Sequence, residues 1–190
     1  MIYEAMSCIA DELNEYFRAR LKIAEDLVIL SGIVNQDGTV AIQGENKVLL
    51  TLINIEKEPS VKSNAFAGGA RTLVNMPTSM SVNIYVLFSS YFSAGNYPEA
   101  LRFTSFIMAF LQEKPVFSSA NTPRLNAGIE KLTFEMESLG SEKLNNVWAT
   151  LGAKYMPSVL YKIRMLTFDS SVIREYRPRI SGSERDSEPV

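Results

Sequence analysis

Histidine is absent from all 190 residues. That absence removes His-based triads, His general bases and most zinc sites together, and leaves only carboxylate or lysine chemistry open. Cysteine occurs once, at Cys8, so no disulfide can form within the chain, and synthesis in a reducing compartment is the natural expectation. No apolar run approaches the roughly 20 residues that a membrane span needs. The opening MIYEAMSCIADELNEY carries acids where a secretory leader would be basic, so no signal peptide is expected. Excess charge is missing too. Lys and Arg number 19 against 21 Asp and Glu, a net charge of −2. That argues against nucleic acid as a main partner, because phosphate binding needs a clustered cationic surface. What is present is ordinary for a globular protein, with 46% hydrophobic and 21% charged residues in a length that suits one domain and one core.

Ile2 to Lys22 has the period of an amphipathic helix, with Ile2, Met6, Ile9, Leu13, Tyr16, Phe17 and Leu21 on one stripe. Its acids come early and its bases late, the order the helix dipole favours. Cys8 falls inside this pattern and reads as a buried small hydrophobe rather than a reactive thiol. Short strands are expected at Leu27 to Ser31 and Thr39 to Ile42, around an Asn35-Gln36-Asp37-Gly38 turn. Longer strands are expected at Lys47 to Glu56 and Met80 to Phe92. The first is apolar on both faces near its start, which suggests a central position. Between them Lys57 to Thr78 holds Pro59, Gly68, Gly69 and Pro77, shows little periodicity, and reads as a long loop.

Pro98 sits near the first position of a helix over Glu99 to Lys114, whose stripe is Leu101, Phe103, Phe106, Ile107, Phe110 and Leu111. Residues 115–127 read as irregular. Ile129 to Leu139 alternates, with Leu132, Phe134 and Met136 opposite Lys131, Thr133, Glu135 and Glu137. A helix N-capped by Ser141 then carries Leu144, Val147, Trp148 and Leu151 on a buried stripe and stops at Gly152. Val159 to Phe168 closes the pattern as a strand. The fold class expected is α/β or α+β: one domain over residues 1–169, with a mixed, mostly antiparallel sheet and about three helices on one face. Residues 170–190 form a polar C-terminal arm.

Few residues suggest a site. Glu135 and Glu137 share a face at the spacing paired carboxylates would use for acid–base work. A solvated strand face gives the same pattern and is the simpler reading, since no histidine, cysteine or glycine loop joins them. Lys162 and Arg164 point outward by parity. They fit an anion site, but pairing across strands or a subunit contact is preferred, and an exposed cross-strand pair is worth only about 0.2–1 kcal/mol. Gly68-Gly69-Ala70-Arg71 lacks the form of a phosphate loop, so Arg71 is assigned to a contact surface. In the arm, Ile173, Tyr176 and Ile180 are spaced among Arg174, Arg177 and Arg179. Two readings stand there: a terminus without fixed structure, or an arm that orders on a neighbouring subunit by adding a strand to a sheet edge.

The runs VLFSSYF, YPEALRF and FLQEKPVF, then NTPRL and GIEKLTFEMESL, then LNNVWATLGAKYMPSVLYKIRML, are similar in order and spacing to the cap or tail-terminator family of contractile injection systems. These are phage-tail-like devices exemplified by the antifeeding prophage. The resemblance spans about residues 3 to 169 and is most specific from Asn83 to Leu166. It implies a ring, typically of six subunits, that sits on the distal end of the inner tube and sheath and ends their polymerisation. The partners implied are further copies of the chain, the sheath protein and the tube protein, with no nucleic acid and no membrane insertion. No catalytic residue, cofactor or metal is implied. Assembly in the cytoplasm, into a particle that is membrane-anchored or released, goes with it. Some family members carry a larger C-terminal region, where this chain has the polar segment 170–190. The residues alone leave a second reading, a small-ligand-binding or carboxylate- or lysine-dependent enzyme domain.

Overall fold

A computed structural model describes residues 1–42, 44, 46–58 and 80–168. The first helix, α1 (Ile2–Leu21), buries Ala5, Met6, Ile9, Leu13 and Phe17 along the expected stripe. It ends where Lys22 turns into the left-handed region at φ 56°. Strands β1 (Val28–Leu30), β2 (Lys47–Lys57) and β3 (Met80–Tyr91) follow. A 3-10 turn at Ala94–Asn96 leads into α2 (Tyr97–Glu113), then β4 (Val116–Ser118), β5 (Lys131–Glu137), α3 (Ser141–Leu151) and β6 (Ser158–Phe168). Among the described residues no helix is long and apolar enough to cross a membrane.

The strands form one six-stranded sheet in the order β1-β2-β3-β6-β5-β4. The β1–β2 pair is parallel and the other pairs are antiparallel, so the sheet is mixed and mostly antiparallel, and the fold is α+β. Alternation along each strand sends side chains to opposite faces. Val48 and Leu50, Val86 and Phe88, and Tyr161 and Ile163 face α1 and α2. Leu49, Leu87 and Leu160 face the other way, against Trp148 of α3. The larger core is aromatic: Phe17 meets Phe103 edge-on at 5.3 Å, and Phe110 meets Phe117 at 6.1 Å. Cys8 is buried in that core, where burial pushes its thiol pKa up, as a packed hydrophobe requires. One buried polar group ties α1 to the sheet. Asn14 Oδ1 accepts from Leu27 N–H at 2.9 Å and Val28 N–H at 2.8 Å, and its Nδ2 donates to Val28 O at 2.9 Å.

Several expectations are corrected. The helices do not share one face: α1 and α2 cover one side and α3 the other. Thr39 to Ile42 is not a strand; a single bridge joins Val34 and Val40, because the turn is too short to carry a ladder. The stretch read as irregular holds β4, a three-residue strand that exists because Phe117 fills the core completely. Gly140, not Ser141, is the N-cap of α3. On that helix Trp148 alone is buried, with Leu144, Val147 and Leu151 packed around it half-exposed. Leu101 leaves the α2 stripe and stands 46% exposed, and Met136 leaves the β5 stripe. β2 is only half central, since β1 flanks it at Val48–Leu50 and no further. The Gly152 stop holds, at φ 65°, where a side chain would be strained.

Candidate interface

α3 covers only part of its face. Past Leu87 and Leu160 on that face come Tyr85 and Lys162, which are register partners, and then Asn83 and Arg164. β5 adds Glu135, paired in register with Lys162, and β2 adds Glu56, paired with Asn83. The alternation that gave an apolar half near α3 therefore gives a charged half beyond it.

Arg164 is the hub. Its Nη1 donates to Glu135 Oε1 at 2.9 Å, and its Nε lies 3.4 Å from Glu58 Oε2. Glu135 lies directly opposite Lys162, so Arg164 reaches it along the diagonal. Glu58 is a buried carboxylate, and Asn83 Nδ2 donates to the same Oε2 at 2.7 Å. Asn83 is itself only 1% exposed, and its Oδ1 accepts no hydrogen bond among the described residues. Tyr85 donates its hydroxyl to Glu56 Oε2 at 2.8 Å, and Lys162 Nζ stands 5.7 Å from the centroid of the Tyr85 ring. Burial, then the bond to Glu56 and the charges of Glu56, Glu137 and Glu58, push the Tyr85 pKa up to about 12. Tyr85 is therefore a protonated donor through the whole neutral range. The bond to Glu135 is the largest cause holding the Arg164 proton more tightly still.

Lys162 and Arg164 are thus brought together with Glu135, as parity suggested, and with three residues that sequence reasoning passed over: Glu58, Asn83 and Tyr85. Asn83 left a signal, being an amide within an apolar strand; Glu58 left none. Arg71, Ile173, Arg174, Tyr176, Arg177, Arg179 and Ile180 lie outside the described residues, as does most of the long loop. Chemically, the cluster is suited to recognition. Glu135, the carboxylate that an acid–base pair would need, is taken up by a guanidinium. Among the described residues no group of three or more Cys, Asp or Glu could hold a metal ion. Among the described residues Glu56, Glu58, Glu135 and Glu137 stand against Lys162 and Arg164, with Lys131 further along β5 on the same face, so four carboxylates meet three cations.

A family model described as the Pvc16 N-terminal domain matches residues 5–182. No curated protein matches the chain. Solved structures that share its fold include two of stated role. One is the sheath/tube terminator, in the extended state, of an extracellular contractile injection system, PVC, at 15% identity and TM-score 0.57 over 100% of this chain. The other is the tube-terminating cap of the anti-feeding prophage, at 16% identity and TM-score 0.54 over 94% of this chain. The chain spans 64% of the first protein's length and 60% of the second's.

Proposed function

The chain belongs to the Pvc16 N-terminal domain family, and from that premise we propose that it is a structural terminator of a contractile injection system. It closes the distal end of the tube and sheath and stops their growth. The observation that carries this reading is the family match across residues 5–182, nearly the whole chain. The folds of a sheath/tube terminator and a tube-terminating cap agree with it.

The physics of the task suits the molecule. Tube and sheath polymers grow because each ring exposes a surface that the next ring can use. A terminator has to match that surface on one side and present nothing equivalent on the other. α1 and α2 cover the middle of one face of this sheet, while the other leaves a charged half open beyond α3. That half-face, with Lys162 and Arg164, is assigned to contacts with a subunit or the sheath, as are Arg71 and the arm residues Ile173, Arg174, Tyr176, Arg177, Arg179 and Ile180. The working form is a ring of six, and six copies of a 21.2 kDa chain have a native mass of 127.2 kDa. The test is placement. Gold label directed at an affinity tag on this chain should mark one end of each particle and no other point. Label scattered along the shaft, or no label on washed particles, contradicts the reading.

A further inference from the structure

Among the described residues β2 has an open edge. β1 pairs with Val48–Leu50, and the ladder closes with Ser31 N–H on Leu50 O at 3.3 Å. From Leu52 to Lys57, among the described residues, β2 has β3 on one side and no strand on the other. The β2–β3 register slips between Leu52 and Asn54, and Ile55 N–H donates to the Asn54 side chain at 2.9 Å instead of to a strand. Leu52 and Ile55 are 37% and 46% exposed, and Leu30 and Tyr3 beside them are 40% and 69% exposed. Ile2, Tyr3, Met6, Leu30, Leu50 and Leu52 line an open groove of about 450 Å³ next to that edge. An apolar edge of this length is a template for strand pairing, and its alternate side chains need a pocket to enter.

We propose that residues 172–177 of a second copy of this chain add to β2 as a strand, with an apolar side chain seated in this groove. Val172, Ile173 and Tyr176 are strand-favouring. Pro178 lies just past the segment and has no N–H to extend a ladder, so the added strand would end at Arg177. Charge agrees. Within the segment Arg174 and Arg177 outnumber Glu175 two to one, while β2 runs into the acidic half-face at Glu56 and Glu58.

The ends of the described strands favour a neighbour over self. β6 brings the backbone to Phe168 opposite Met80, at the end of the sheet where β2 also finishes. To reach the outer edge of its own β2, the arm would have to cross the connection from Lys57 to Met80. Connections at the same end of a sheet do not cross. The edge of an adjacent copy can be reached without any crossing.

This inference rests on the ring reading only in requiring adjacent copies, and disulfide trapping on the full chain tests it. Chains carrying Ile55→Cys or Leu52→Cys are mixed with chains carrying Ile173→Cys or Tyr176→Cys under mild oxidation. Native Cys8 is buried, and Leu101→Cys on exposed α2 is the control partner. The expected result is a bond between different chains, at least ten-fold above the control, for one edge–arm combination. A double variant, Ile55→Cys with Tyr176→Cys in one chain, should link into multimers. Bonds that close within single chains, or none above the control, overturn the proposal. Particle length keeps the two readings apart. Cross-linking with unchanged particle length on deletion would leave the arm contact standing and remove the terminator reading. Altered length with no cross-link would do the reverse.

Discussion

The face beneath α1 and α2 and the face beneath α3 are made by the same strands, residue against alternate residue. On the first, Phe17, Phe88, Phe117 and Ile84 are sealed from water, and rings from both helices pack edge-on across them. On the second, the seal stops at Trp148, and within two strand positions the surface turns to Tyr85, Lys162, Asn83 and Arg164. A side chain on the first face contributes by its volume. One on the polar half of the second contributes by what it pairs with, and its loss is felt mainly by a partner. Stability is therefore concentrated in the core of the first face, and recognition in the polar half of the second and at the open groove beside β2. Mutations should separate them.

The largest effect is expected from Phe17→Ala. A wholly buried aromatic truncated in a packed core costs about 3–5 kcal/mol, read by urea unfolding. Trp148→Ala should cost about 3 kcal/mol, with faster amide exchange in α3 while α1 keeps its protection. Equal loss of protection in both helices would break the comparison between faces. Next comes Arg164→Ala, which removes a cation from the buried Glu58; a lower urea midpoint than the parent is expected, and a smaller drop than for either aromatic truncation because the guanidinium is partly exposed. Arg164→Lys should not restore it, since one ammonium cannot serve Glu135 and Glu58 as the guanidinium fork does.

Tyr85→Phe is smaller, under about 1 kcal/mol at neutral pH for a partly exposed bond. Its signature lies in alkali. A phenol whose folded pKa is raised contributes stability that is whole below the unfolded value near 10 and is lost as pH climbs through about 12. The parent should therefore lose Tm more steeply between those values than Tyr85→Phe. The smallest effect belongs to Leu101→Ser, within about 0.5 kcal/mol, because this leucine is already 46% exposed. If that variant folds normally yet fails to assemble, the outer side of α2 joins the recognition surface, and the comparison becomes sharper.

Much of this was legible from period alone. The stripe of α1, the alternation of β3 and the glycine stop of α3 are local patterns, and each appears in the fold where it was expected. Which face α3 would choose was not legible, because its apolar stripe fits either side of a sheet whose central strands are apolar on both. β4 was missed because three residues are too few for a period. At the candidate interface, parity placed Lys162 and Arg164 with Glu135. It could not say that Arg164 would take the diagonal partner, which depends on register and on a shift between Val82 and Ile84. The burial of Glu58 depends on residues distant in sequence, 25 positions on at Asn83 and further still at Arg164.

The most direct test of the central claim is the length distribution of assembled particles, by electron microscopy, with and without this chain. Without it, tubes and sheaths should become longer and more variable and lose their closed distal end, and re-expression should restore both. Particles of unchanged length with a normal closed end in its absence would contradict the account.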